Sequence, residues 1–387
     1  MTQRTSASAS RAAAQVLVAI CRGEPTAVPQ ALTDVVVDSA RHHRVAPLTH
    51  VHLRETAPAA AELLRLDRDL AKSLHIRASM LLANVNQLLG DIPWVVFKGP
   101  VLSEVAHPVP GLRPYGDLDL LVAPSALRAV SEVLLDAGWV VGDYEDMLRN
   151  PQTPGEMHWF TPAGIPVDLH WSMINMESRR RHFEIPTVDL LARRRRVSIG
   201  LGSAWTMDEV DTMVHVCLHA ALAGANKLGW TLDVDQVARQ VTSWDEVAQR
   251  ALDWGAQAQV ALVLRRATAT LGTPVPGSFY RSLGVSTALL RIIDAVDRLA
   301  PVARQRKSAS LSRLLARAVR PGAAATVAAV SRNAARGIVD RIRPVPRRGA
   351  AERVAASPGA LAAYLEAVEA RGSDPAGVAS RSSSHRS

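Results

Sequence analysis

The sequence predicts an α+β fold: a small mixed sheet with helices, flanked by helical regions on its N-terminal and C-terminal sides. Three observations predict it. Apolar residues recur at helical spacing through residues 1–90 and again through 206–275. Between these stretches the pattern changes to short apolar or alternating runs, the signature of strands. Aromatic residues make up only 4% of the chain, so the core is built from Ala, Val and Leu, which suits packed helices.

Taken in order, residues 1–90 form an N-terminal helical region, punctuated by Pro25, Pro29, Pro47 and Pro58. Its first apolar run, 12–21, is short and is followed by Arg22 and Glu24 rather than by a cleavage site, so it reads as an amphipathic helix and not as a signal peptide. Residues 91–200 form an α/β unit. In it, 93–97 is a buried strand, 100–106 a helix with Pro at its first turn, 107–115 a Pro/Gly-rich loop and 117–122 an alternating strand. Residues 124–138 are a helix stopped by Gly138, and 139–141, 158–161 and 166–171 are further strands. Residues 201–300 form a C-terminal helical domain with helices over 210–223, 232–241, 243–255 and 258–271. Ser243 caps the third, with Glu246 three residues on. Residues 301–387 are a basic, partly disordered tail with a linker at 344–348.

Charge and cysteine usage narrow the class. The chain carries a net +9, but residues 301–387 alone hold 16 Lys/Arg and 5 Asp/Glu, a net +11, which leaves the first 300 residues at 9 − 11 = −2. Cys21 and Cys217 are too few for a disulfide framework or a cysteine zinc site, in keeping with a reducing, cytoplasmic setting. No run of 18 apolar residues lacks charges, which argues against a transmembrane segment. The Arg and Ala bias matches a GC-rich genome.

The chemistry is concentrated in two strands. Along 117–122 successive side chains alternate faces, so Asp117 and Asp119 point one way while Leu118 and Leu120 point into the core. Paired carboxylates with apolar neighbours repel one another and call for a cation. Hard oxygen ligands suit Mg2+ or Mn2+, held together with substrate phosphates. A third carboxylate, Asp168, lies on a second strand, 166–171, and shares a face with His170. Two metal ions could then assist in-line displacement at a phosphate. Ahead of the pair, Gly99 closes a strand-to-helix turn of the kind that cradles phosphate. Lys98, one of only four lysines, brings a compact charge to that turn, and Arg113 brings a fork that matches phosphate oxygens. His158 and Trp159 line a pocket or pack the strand. His215 and His219, four apart on one helix, face the cleft or fill the helix core. Trp230-x-x-Asp233 serves substrate contact or packing.

The order strand, Gly turn, helix, Asp-x-Asp strand, third-Asp strand resembles the minimal palm of the polymerase-beta nucleotidyltransferases. More narrowly, FKGPVL, RPYGDLDLLV, VDLHW, LHAALAGANKLGWTLDVDQVA and SWDEVAQRALDWG resemble the bacterial uncharacterised nucleotidyltransferase family over about residues 30–275. The resemblance implies Asp117, Asp119 and Asp168 as metal ligands and catalytic residues, and Lys98 with Gly99 as the substrate-phosphate turn. It implies transfer of a nucleoside monophosphate from a nucleoside triphosphate to an acceptor hydroxyl or phosphate that the sequence does not identify. One departure stands out: the superfamily's Gly-Ser or Gly-Gly turn is Gly99-Pro100 here, and Pro100 offers neither hydroxyl nor N–H. Phosphate binding then rests on Gly99, the residues after Pro100, Lys98 and Arg113.

Two other classes compete. A glycosyltransferase also uses Asp-x-Asp for a metal–sugar-nucleotide complex, but it needs a larger nucleotide-binding domain than the helical region before Asp117. A degenerate palm acting only as a binding module is opposed by the presence of all three carboxylates. The basic tail suits an anionic membrane surface, which would make the protein peripheral, or RNA. Tyr364 is its only aromatic residue, which weakens a base-stacking role. The motifs all precede the tail, so the tail is expected to be dispensable for chemistry, unless the apolar stripe of Leu311, Leu314, Leu315 and Val319 docks on the body.

Overall fold

Five strands make one sheet: β1 (Trp94–Phe97), β2 (Leu118–Val122), β3 (Val140–Gly142), β4 (Glu156–Phe160) and β5 (Pro166–His170), in the spatial order β1-β2-β5-β4-β3. Only β2 and β5 run parallel; their neighbours pair antiparallel. The computed structural model describes residues 2–305, 310–342 and 356–372.

The strand sequences explain the sandwich around this sheet. Every residue of β1 and β2 is buried, as expected for strands covered on both faces. Trp94, Val96, Leu118, Leu120, Val167 and Leu169 enter one core. There they meet Leu82 and Val85 of the helix Arg65–Leu89 and Val130 and Leu134 of the helix Leu127–Asp136. The alternate residues Val95, Phe97 and Leu121 enter a second core built on the helices Glu209–Ala223 and Gln257–Leu271. Asp119, Asp168 and His170 alternate with the first set, so they lie on the second face, toward the Glu209–Ala223 helix.

The α+β architecture is as expected, with strand ends differing by a residue or two. The four C-terminal helices form at Glu209–Ala223, Leu228–Ala238, Trp244–Asp253 and Gln257–Leu271. The side chain of Asp208 caps the first, accepting from Asp211 N at 2.6 Å, and Ser243 caps the third, accepting from Glu246 N at 3.3 Å. The hairpin β6 (Arg195–Ile199) and β7 (Gly202–Thr206) was not expected. Its turn places Gly200 at φ +57°, and the Gly-Leu pair between alternating runs is the signal that marks it. The Thr206 hydroxyl donates to Val96 O at 2.8 Å, which seats the hairpin beside β1. The N-terminal helices share a third core with Leu228, Leu232, Leu271 and Val302, so they are braced on the C-terminal helices.

The structure corrects the reading of 301–387 as a basic, partly disordered tail. Two of its segments are core helices. In and after Leu311–Ala318, the side chains of Leu315, Ala316 and Val319 are buried with the Glu209–Ala223 helix, and the buried Arg266 donates to Ser312 O at 3.0 Å. In Pro358–Gly372, Leu361, Tyr364, Leu365 and Val368 join the first sheet core. Trp171 Nε1 donates to the Tyr364 hydroxyl at 2.8 Å, which in turn donates to Pro154 O, and Arg128 forks onto Glu369 at 2.7 and 2.9 Å. The i, i+3, i+4, i+7 stripe of this last helix was outweighed in the sequence reading by the surrounding Arg, Ala and Ser. The 344–348 linker and the disorder expected of the last dozen residues lie outside the described residues. Among the described residues no helix is long and apolar enough to cross a membrane.

A chain ending at residue 300 should therefore lose stability or become insoluble. Leu315→Ala, at a site 3% exposed, should cost about 2–5 kcal/mol in urea unfolding. A cost near zero would mean that this helix only decorates the surface.

Candidate active site

The β2–β5 register sets Asp119 directly opposite Asp168, and β4 sets His158 opposite Asp168 on its other side. One residue pair further along, His170 faces Glu156. Carboxylate and imidazole groups from three strands thus converge on one face. Ligand atoms of Asp119, Asp168 and His170 lie within 4.8 Å of one another, close enough to share a metal ion.

Asp119 is the buried centre of this group, 5% exposed. Lys98 Nζ donates to its Oδ1 at 2.6 Å, and His170 Nε2 donates to the same oxygen at 3.1 Å. Burial alone would raise its pKa. The Lys98 charge and the His170 hydrogen bond outweigh that and hold the carboxyl well below the usual carboxylate range. Asp168 is half-buried and accepts from His158 Nδ1 at 2.5 Å; that bond raises the His158 pKa against the opposing effect of burial.

Asp117 stands one residue before β2, at the exposed rim. Loss of water around its carboxyl raises its pKa, and the charges of Asp119 and Asp168 add to that. Lys98 and Arg44 pull the other way. The geometrically close trio is Asp119, Asp168 and His170, with Asp117 at its edge. His170 was visible in the sequence only as a residue sharing the face of Asp168.

The turn after β1 is unusual. Lys98 takes φ +57°, a conformation that costs a non-glycine residue about 1–3 kcal/mol. Its ammonium is thereby brought to Asp119, 4.9 Å from the centroid of the Phe97 ring. Next to it, a Cβ on Gly99 would meet both Asp117 O and the Tyr115 ring at 3.3 Å, so a glycine lets the two loops approach. Arg113 lies elsewhere than expected. Its fork is buried and closed on Asp233, at 2.8 and 2.9 Å. This pairing answers what Asp233 of the Trp-x-x-Asp element does: it anchors the loop leading to Asp117.

Sequence reasoning missed Arg44. It has φ +60°, and Gly229 packs against its backbone, where a Cβ would sit 3.1 Å from Arg44 O. Its exposed side chain shares a wall with Pro114 and Tyr115, just ahead of Asp117. A positive φ at a non-glycine residue has no signal in sequence.

The Glu209–Ala223 helix roofs the site. His215 and His219 both face a cavity of about 270 Å³ that Lys98 and His170 also line. His215 stacks edge-on against Phe97 at 5.2 Å. Burial lowers the pKa of both imidazoles, that of His219 to about 3, so they are neutral.

The family model described as uncharacterised nucleotidyltransferase matches residues 29–272. The chain belongs to this family. The matched segment contains the sheet, its three carboxylates and the roofing helices, and it ends before the two late core helices. The assignment favours nucleotidyl chemistry over the sugar-nucleotide reading of Asp-x-Asp. No curated protein matches the chain.

Two tests follow from the electrostatics. In metal-free protein at neutral pH, Asp117→Asn should hold or raise the melting temperature. The folded chain disfavours that ionised carboxyl, a penalty present above the usual carboxylate range that fades as pH falls. Asp119→Asn should lower the melting temperature. Its depressed pKa is a stabilisation present at neutral pH and lost on acidification, and the substitution leaves Lys98 without its anion. Shifts of the same sign in both variants would show that Lys98 is not the stabilising partner. Separately, Asp233→Asn should cost about 3–5 kcal/mol by stranding buried Arg113. The double variant Arg113→Met/Asp233→Leu should recover most of that in urea unfolding.

Proposed function

We propose that the protein transfers a nucleoside monophosphate from a nucleoside triphosphate to an acceptor hydroxyl or phosphate, using Mg2+ or Mn2+ held by Asp117, Asp119 and Asp168. The observation that carries this reading is the in-register pairing of Asp119 with Asp168 on parallel strands in a chain of a nucleotidyltransferase family.

The donor set fits a divalent cation. Two carboxylates and one imidazole meet within 4.8 Å, and Asp119 already has an ammonium against its oxygen, as a buried carboxylate requires. Bound metal would supply Lewis-acid stabilisation of charge developing on the α-phosphate and would lower the pKa of the attacking hydroxyl.

The residues of the chain do the rest. Lys98 neutralises Asp119 in the free protein, and its flexible stem can turn its ammonium to the substrate phosphates. Gly99 keeps that turn close to the Asp117 loop. Arg44 offers an exposed cation on the same rim, where a polyphosphate would leave toward solvent. Arg113 acts on the loop through Asp233 rather than as a phosphate ligand. His158 orients Asp168 through the hydrogen bond to its Oδ1, and Glu156, 3.4 Å from His170 Nδ1, helps set the His170 ring.

Incubation with each labelled nucleoside triphosphate, Mg2+ and a cell extract should give a labelled product. Asp168→Ala should cut turnover by about two orders of magnitude or more while leaving calorimetric nucleotide affinity nearly unchanged. Near-normal turnover in that variant would remove Asp168 from the mechanism.

A further inference from the structure

The carboxylates have two unlike approaches. One is the open rim of Asp117 and Arg44, polar and charged. The other is the recessed cavity of about 270 Å³ between the ends of β4 and β5 and the Glu209–Ala223 helix. None of Asp117, Gly99 or Arg44 lines this cavity. Lys98 and His170 do, so it abuts the two groups that hold Asp119.

Its walls are chemically mixed. Met173, Ile174, Leu218 and Leu222 give it an apolar body. Apart from imidazoles it has no aromatic face on which a nucleobase would stack. In that body stands His215, 4% exposed, and neither of its ring nitrogens has a hydrogen-bond partner. A buried imidazole with both nitrogens idle is costly unless something supplies a partner.

The cavity also presents a cation in want of an anion. Arg179 lines it, half-buried, and makes no side-chain hydrogen bond or ion pair among the described residues. Burial lowers its pKa and so does Arg317, from the late core helix Leu311–Ala318. Two guanidinium groups near each other, one of them partly buried, favour a bound anion. Glu156 does not fill that need. Its Oε1 accepts from Asn175 Nδ2 at 2.5 Å and its Oε2 faces His170.

We propose that this cavity is the acceptor site and that the acceptor is a small molecule with an apolar body and one anionic group, carboxylate or phosphate, met by Arg179. The proposal rests on the nucleotidyltransferase reading for the word acceptor, but the binding site stands without it.

The test therefore uses neither nucleotide nor metal. The full chain is titrated by calorimetry and ligand-observed NMR with hexyl phosphate and with hexanoate. Inorganic phosphate, acetate and hexan-1-ol serve as the anionic and apolar fragments. At least one amphipathic anion should bind about tenfold or more tightly than its own fragments, and which one binds names the anionic group. Arg179→Gln should weaken it by about tenfold or more, as loss of a charge-assisted hydrogen bond requires. This variant removes an unpaired cation, so its melting temperature should be kept. Leu222→Trp, from a half-buried position, should block the cavity and abolish binding. The proposal fails if neither anion binds, if inorganic phosphate alone binds as well as hexyl phosphate, or if binding survives both substitutions. Such failure leaves metal-dependent transfer by Asp119 and Asp168 intact. Conversely, an inert enzyme with a working cavity would point to a fault in the transfer reading alone.

Discussion

A carboxylate buried at the centre of a sheet governs this molecule. Asp119 is nearly without water, and a group in that position must be neutralised or lose its charge. The chain answers by bending Lys98 into a conformation lysine rarely adopts and by aiming His170 from the neighbouring strand at the same oxygen. The rest of the site is arranged around that need. Gly99 makes room for the bend, the parallel β2–β5 pairing supplies His170 and Asp168 together, and the helix above keeps the imidazoles beside Lys98 neutral by burial. Energy spent on backbone strain and desolvation is returned as a cluster of ligating groups with little freedom to move, which is what preorganisation means for a catalytic site.

Much of this was legible in the sequence because it depends on local rules. The Asp-Leu-Asp alternation put carboxylate and core residues on opposite faces, and Val-Asp-Leu-His repeated the pattern, so the strands and their polar face could be read before any pairing was known. The helix cap at Ser243 was equally local. What could not be read depends on distance along the chain. Arg113 looked like a phosphate ligand because its neighbours are loop residues and carboxylates, whereas its partner Asp233 is 120 positions away. Lys98 looked like a phosphate lysine, and nothing nearby announced that its first partner is the buried carboxylate of Asp119. Arg44 belongs to a turn whose strain is visible only with Gly229 packed against it.

The two late core helices differ in this respect. The apolar stripe of 311–319 is legible as a candidate core contact, whereas that of Leu361, Tyr364, Leu365 and Val368 is short and diluted by arginine-rich surroundings. Arginine itself was part of the packing: Arg266 is fully buried and ties the helix Gln257–Leu271 to Ser312, and Arg128 clasps Glu369.

The clasp between Trp171 and Tyr364 carries a consequence for how the protein is born. The two residues lie 193 positions apart. At a synthesis rate of about 5–20 residues per second, the sheet would wait roughly 10–40 s on the ribosome before the helix that covers Trp171 emerges. During that interval Trp171 and its apolar neighbours face solvent or a chaperone rather than their final partner. The nascent chain thus carries its sheet in an unfinished state until the helix Pro358–Gly372 arrives.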